Sequence, residues 1–440
     1  MTGWRDPFVA PWQAADALLG NDSDPTNAGL YALISGGEKD LGPRTWLYAI
    51  QPNDLRKWTF LGPLLSMSPN ETANWSGDFG SNFECSNFLT VSAGEIQKDT
   101  VVVSTEGGPE REWVTEYMAN KSADFPRRTP HNDHWVWGSL QLKTDENTKY
   151  PALERSATSL LDWGALYAAT TFLYGDRRLL WGWIPDEDLA QPLLKERGCA
   201  GCLALPRELF VQTTYGVEGC LGGGIDVLRG VSSMDVEERN SNEARGGQGG
   251  HGHGDHGHGD HRHHGHHNGG GYTVTTMGIR PAEQVTALRK QMVANVEIHP
   301  GTPMPQIPPV PRACEIQVTA HDMCPTSTVS LYIRDATGGT QTVITFSAAD
   351  ETLIVDRSRS TTRQDINTAD ERAKHTLFRT SDANGFEDID LRVFLDAGVL
   401  EVFANNRTAI ATRVYAAPQV NVALEVQNGW GSVSVWELGL

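Results

Sequence analysis

The chain alternates short β-type runs with turn residues along nearly its whole length, and this rhythm limits the folds open to it. Leu30-Tyr-Ala-Leu-Ile-Ser35 is followed by Gly36-Gly37 and then by Thr45-Trp-Leu-Tyr-Ala-Ile50, which reads as two adjacent strands. Val101–Ser104, His134–Gly138, Leu166–Phe172 and Leu179–Ile184 continue the pattern. β-Branched and aromatic residues dominate these runs, and Gly, Pro, Asn and Asp punctuate them. No long segment of period 3.6 interrupts the first 230 residues, so a propeller, barrel or sandwich is expected. Thirteen Trp and 45 Gly in 440 residues suit such an all-β chain. The rings face sugars or fill the core.

After residue 312 the rhythm resumes. Strands are expected at Glu315–Thr319, Val329–Arg334, Gln341–Phe346, Thr352–Asp356, Asp390–Leu395, Val399–Phe403, Val420–Val426 and Ser432–Leu438, with a hairpin turn at Asp396-Ala-Gly398. So many strands in so short a stretch fit a β-sandwich. Between the two β units, Pro281 to Val293 reads as the clearest helix, with Pro281 in its first turn and Val285, Leu288 and Met292 on one face. A Pro-rich stretch follows, and helix plus Pro-rich segment reads as a linker. Nine of the 14 histidines fall between His251 and His267, interleaved with Gly and Asp. That stretch cannot bury a core and is expected to be a disordered insertion. Nothing in it fixes ligand geometry, so no dedicated metal site is expected there.

Charge and cysteine usage narrow the function classes. A net charge of −19 argues against nucleic acid and anionic membrane as partners. No apolar run approaches the roughly 18 residues of a membrane span. The six cysteines are too scattered for a disulfide framework, and one CxxC pair, Cys199 and Cys202, makes a poor zinc site. Five N-x-S/T strings, at Asn21, Asn70, Asn74, Asn120 and Asn406, suit a secreted glycoprotein, although the first residues carry no signal-peptide pattern.

Two carboxylates carry the candidate chemistry. Glu84 lies in Asp78-Phe-Gly-Ser-Asn-Phe-Glu-Cys-Ser-Asn-Phe88 at the edge of an apolar run, with Phe83 and Cys85 beside it. Desolvation there favours a proton donor. Asp6 lies in Trp4-Arg5-Asp6-Pro7, where Arg5 can hold the carboxylate ionised and donate to ligand hydroxyls. A paired carboxylate and carboxylic acid are what glycoside hydrolysis needs. A plain turn at Arg5-Asp6-Pro7 is the alternative.

These residues resemble a family. Arg5-Asp6-Pro7 matches the R-D-P motif of glycoside hydrolase family 32, the invertases, inulinases and levanases, and Phe83-Glu84-Cys85 matches its W-E-C motif. Asp162-Trp-Gly-Ala-Leu-Tyr167-Ala168 resembles its D-x-G-x-x-Y-A segment, Leu180-Trp181-Gly182-Trp183 its L-W-G-W strand, and Gly201 to Leu209 its G-x-x-S-L-P-R-E-L. Asp356-Arg357-Ser358 and Leu395 to Phe403 resemble its C-terminal part. The matches run in the family's order.

The resemblance implies a five-bladed β-propeller followed by a β-sandwich, and a retaining reaction on terminal β-fructofuranosyl units of sucrose or a fructan, without cofactor or metal. It implies Glu84 as general acid/base and Asp6 as transition-state stabiliser, with Arg5, Asp162 and Trp183 as substrate-binding residues. Trp181 or Trp183 stacks on a sugar or belongs to the core. Ala165 stands where members that use the Asp162 position carry Lys. The family's nucleophile is an Asp in an N-terminal N-D-P-N-G-like motif, and no such motif precedes Arg5 here. The expectation is therefore a propeller over residues 1–280 that is incomplete at its N-terminus, with the His/Gly-rich insertion at about 240–271. A helix and linker over 281–312 and a sandwich over 313–440 follow. The chain as it stands is expected to be inactive. A non-catalytic fructan-binding relative and a fructosyltransferase are the alternatives.

Overall fold

A computed structural model describes residues 1–20, 29–145, 148–238, 271–301, 307–381, 385–415 and 418–439. Among the described residues, the first unit is built on three large antiparallel sheets, each laid down largely as a meander, with a two-stranded ribbon, Thr72–Ala73 and Gly77–Asp78, beside them. Strands Gly3–Pro11, Leu30–Glu38, Gly42–Gln51 and Asp54–Ser66 form the first sheet in chain order. Asn82–Ala93, Ile96–Glu106, Asn132–Asp145 and Thr148–Leu160 form the second. The third is built on Tyr167–Tyr174, Arg177–Pro185, Arg207–Cys220 and Tyr272–Pro281, with Asp235–Glu238 at its edge.

The second sheet is buried on both faces, and the period of two divides its side chains between two cores. Val101 and Val103 join the core shared with Tyr31, Leu33 and Leu47 of the first sheet. Val102 turns the other way, into the core shared with Ala169, Leu180 and Leu209 of the third. Phe88 and Leu89, and Val136 and Trp137, divide in the same manner. An unbroken Val-Val-Val run is what a strand covered on both sides needs. The fold is a β-propeller of which these sheets are blades, followed by a β-sandwich.

The sandwich packs two six-stranded sheets around one large core. All eight strands expected after residue 312 are present, and Thr408–Arg413, Glu371–Lys374 and Arg289–Ile298 add to them. The last of these corrects the sequence reading. The helix expected over 281–293 is a 3₁₀ turn, Glu283–Leu288, followed by strand Arg289–Ile298. This strand pairs with Trp430–Leu438, and Arg289 grips Glu315 at 2.7 Å while its guanidinium sits 3.9 Å from the Trp436 ring centroid. Long-range pairing overrides a weak local helical preference. Met292, placed on the expected buried face, is 49% exposed. The sandwich thus begins near Arg289, inside the stretch read as linker. The His/Gly-rich stretch lies outside the described residues except for Gly271.

Buried charge locks the two units together. Arg357 of the sandwich and Arg128 of the propeller share Asp188, at 2.7 and 2.6 Å, and Arg413 pairs with Asp186. Backbone bonds from Trp163 and Ala165 to the carbonyls of Ala409 and Ala411 run beside them.

Candidate active site

The leading strands of the three sheets lie side by side, and each carries a bulge near its start. Pairing slips between Arg5 and Phe8, between Glu84 and Asn87, and between Tyr167 and Thr170. At each slip one residue other than glycine adopts a left-handed backbone: Asp6 at φ 54°, Cys85 at 45° and Ala168 at 56°. Each costs about 1–2 kcal/mol against an ordinary strand geometry. A bulge re-aims the side chains next to it, and here three of them aim at one place.

Glu84 is at the centre. Arg5 Nη1 donates to its Oε1, and the Tyr167 hydroxyl donates to its Oε2 at 2.5 Å. The Glu84 side chain is 14% exposed and that of Arg5 41%. Asp6 is exposed, and its Oδ2 accepts the Cys85 backbone N–H at 3.1 Å, with the Cys85 thiol 3.8 Å away. The three sequence-derived candidates Arg5, Asp6 and Glu84 therefore meet, although 79 residues separate Arg5 from Glu84. Phe83, expected as a neighbour of the acid, is fully buried and packs on Phe79. The Cys85 thiol turns to Asp6. Burial, then the Asp6 charge, pushes that thiol up to about 12.

Other side chains set the bulges. Asn87 donates to the carbonyls of Cys85 and Ala169 and accepts from the Thr171 N–H, clipping the second and third leading strands together. Ser35 accepts the Ser86 N–H at 2.8 Å, tying the first sheet to the second. Asp133 is fully buried and its Oδ2 accepts the Ala169 N–H at 3.2 Å. Burial pushes Asp133 up to about 7.

Tyr167 belongs to the Asp162-Trp-Gly-Ala-Leu-Tyr167-Ala168 segment, where sequence alone gives it no role. Burial, with the bond to Glu84, raises its phenol above the ordinary value, so it remains a donor. The His131 ring stacks on it with centroids 3.9 Å apart, and burial lowers His131 so that the imidazole is neutral at pH 7. His131 carried no recognisable signal, because only the tertiary fold puts it on Tyr167. Both rings line an open cleft between propeller and sandwich, with Arg128, Glu187 and Asp370 on its walls.

Of the other expected substrate-binding residues, one is buried elsewhere and one lies beside Tyr167. Asp162 is 1% exposed. Its Oδ2 lies 2.9 Å from Arg207, and its Oδ1 accepts the N–H groups of Gly164 and Ala411. No face of this carboxylate is left for a sugar. It belongs to the charge network that joins propeller to sandwich, which its place beside a tight turn did not reveal. Trp183 is 38% exposed on the third sheet, where it pairs with Tyr167 on one side and Leu203 on the other, and it does not line the cleft. Among the described residues no group of His, Cys, Asp or Glu could hold a metal ion, and no helix is long and apolar enough to cross a membrane.

Residues 24–217 match the model described as the glycosyl hydrolases family 32 N-terminal domain, and residues 284–437 match that described as the family's C terminal. The fold is like that of an Aspergillus kawachii β-fructofuranosidase complexed with glycerol, at TM-score 0.76 and 21% identity over 99% of this chain and 71% of that one. A fructosyltransferase from A. japonicus gives TM-score 0.73 and 22% identity over 100% and 72%. A Bombyx mori GH32 β-fructofuranosidase mutant in complex with sucrose gives 0.59 and 18% over 99% and 66%. No curated protein sequence matches the chain. With both domain models matched in order along one propeller and one sandwich, the chain belongs to glycoside hydrolase family 32.

Proposed function

We propose that this glycosidase-family chain recognises terminal β-fructofuranosyl units of sucrose or fructans at the three bulges. The observation that carries the reading is Glu84, held between Arg5 and Tyr167 beside Asp6. Glu84 is the general acid/base. Both its oxygens accept hydrogen bonds, the arrangement of a carboxylate activating water. To protonate a glycosidic oxygen, one of the two donors must turn away. Asp6 has Oδ2 fixed by the Cys85 N–H, and Oδ1 serves the hydroxyls of the fructosyl ring. Arg5 orients Glu84 and offers its exposed edge to the sugar.

A retaining reaction needs a second carboxylate about 5–5.5 Å from the acid, acting as nucleophile. Asp6 is the stabiliser in this reading and not the nucleophile, and the 440 residues contain no N-D-P-N-G-like motif before it. The site residues assigned here thus provide a fructosyl site and an acid/base, and none of them is assigned as nucleophile. That same feature favours sugar binding without hydrolysis as the second reading. The relatives named above include both hydrolases and a transferase, and the site residues here suit either acceptor.

Sucrose turnover and calorimetric sucrose binding test this together. The expected result is binding with turnover far below the usual 1–10³ s⁻¹. Turnover inside that range, abolished by Glu84→Ala, would show that another carboxylate serves as nucleophile. Absence of binding would sink the site assignment.

A further inference from the structure

Cys199 and Cys202 take no part in the site at Glu84, yet one of the two thiols is built into the joint between propeller and sandwich. Arg413 of the sandwich is 2% exposed and divides its guanidinium between two partners. Its Nε and Nη2 donate to the two Asp186 oxygens at 3.1 and 3.2 Å, and its Nη1 donates to the Cys202 Sγ at 3.2 Å. The sulfur thus serves the one nitrogen that the carboxylate leaves over. Arg197, at the end of helix Gln191–Arg197, closes this clamp with Nη1 3.0 Å from Asp186. The next residue after Asp186 is Glu187, which lines the cleft and accepts the Thr129 N–H at 2.8 Å.

The chain turns between the two thiols. The helix ends on Gly198 in a left-handed conformation, φ 77°. Ala200 stands at a bend, and its carbonyl accepts the Asp186 N–H at 3.3 Å. Gly201 holds φ 140° and lies against the Trp183 indole, where a Cβ would collide. Cys202 then enters strand Gly201–Leu203 opposite Ile184. Two residues between cysteines is the spacing of dithiols that cycle to disulfides. Cys199 is exposed and open to an oxidant, whereas Cys202 is partly buried. Burial raises the Cys202 thiol and the Arg413 charge offsets this only in part, so Cys199 is the thiol that reacts first.

We propose that Cys199 and Cys202 form a reversible disulfide that acts on the propeller–sandwich clamp through Arg413. With glutathione disulfide as oxidant, the Cys199 thiolate attacks one of its sulfurs and releases one glutathione thiolate. The Cys202 thiolate then attacks the Cys199 sulfur of the mixed disulfide and releases the second. Two protein thiols become one S–S bond, and two reduced glutathione molecules carry off the two protons and two electrons. The bond draws the Cys202 Sγ toward Cys199 and leaves Arg413 Nη1 without its acceptor in a dry joint, which loosens the clamp.

The test equilibrates the full chain in glutathione buffers from reduced to oxidised and records intact mass, peptide map after alkylation of the remaining thiols, and melting curve. The oxidised chain is expected to be lighter by two hydrogens, to carry a Cys199–Cys202 bridge, and to melt about 1–3 °C lower, with full return on reduction. Cys199→Ser and Cys202→Ser each keep an acceptor for Arg413 and are expected to melt as the reduced chain does in both buffers. Cys202→Ala removes the acceptor and is expected to melt low in both. Glutathione adducts on Cys199 with no bridge, or two thiols that both alkylate in the oxidised buffer, overturn the pair. A bridge that leaves the melting curve unchanged overturns the action through Arg413, as does an oxidation shift that persists in either serine variant. Should Cys202→Ala fail to fold, the two serine variants decide.

Discussion

At the residue scale, the site separates carboxylates by what surrounds them. Glu84 is met by two donors from other strands, Asp162 by Arg207 and two backbone N–H groups, and Asp133 by one backbone N–H and little else. Asp133 therefore leans toward the neutral acid, with burial as the cause. The sign of its effect on stability follows. Its folded-state value, about 7, lies above the ordinary 3.8, so the folded chain holds this proton more tightly than the unfolded one. Stability from this group is full below the ordinary value and is lost as pH rises toward 7. Asp133→Asn removes the loss. The unfolding free energy of the variant, relative to the unmodified chain, is expected to climb between pH 4 and pH 7 by on the order of a few kcal/mol in denaturant titrations. A difference that is flat with pH would mean Asp133 is ionised in the fold. Asp6 and Glu84 could be picked out in the sequence because each sits in a short motif of unusual residue types. Asp162 stands in an equally good motif, but where its side chain goes depends on Arg207 and on Ala411 of the sandwich.

At the element scale, the bulges do the positioning. A bulge is a mismatch in register between two strands, so neither strand alone contains it. For this reason the strands were legible from their alternation while the three slips at Asp6, Cys85 and Ala168 were not. The expected helix at 281–293 failed for a related reason: its pattern was local, and its pairing partner Trp430–Leu438 lies more than a hundred residues away. Ala168 offers the cleanest test of the bulge. At φ 56° a β-branched side chain is strongly disfavoured. Ala168→Val is expected to cost about 2 kcal/mol or more in denaturant unfolding. Ala168→Gly should stay within about 1 kcal/mol of the unmodified chain. Equal losses in the two variants would remove the left-handed backbone from the explanation.

At the scale of the whole molecule, propeller and sandwich behave as one body because charges are buried between them. Burial opposes ionisation of Asp188, but Arg128 and Arg357 outweigh it and hold the carboxyl below its ordinary value. Glu371 follows the same balance. Both contributions are present above the ordinary carboxylate range and are lost as pH falls below it. Arg357→Met leaves Asp188 short of a partner in a dry site and is expected to cost about 3–5 kcal/mol. Calorimetry should show one transition in the unmodified chain and a lower, broader or split transition in the variant. An unchanged melting curve would mean that the apolar contacts alone join the units. The order of blades and sandwich was readable from strand rhythm and family motifs, whereas this interface was not, since Arg357 and Arg413 lie 169 and 227 residues from the carboxylates they meet.

The central claim is that the bulges of three blades gather Arg5, Asp6, Glu84 and Tyr167 into a fructosyl site, and that Asp162 stands outside it. Calorimetric titration of fructose into the unmodified chain, Asp6→Asn and Asp162→Asn, each below its melting temperature, tests this most directly. Loss of a charged hydrogen bond to the sugar is expected to weaken binding by about 10–100-fold in Asp6→Asn. Asp162→Asn should bind as the unmodified chain does while melting at lower temperature. Fructose bound normally by Asp6→Asn but lost in Asp162→Asn would contradict the account.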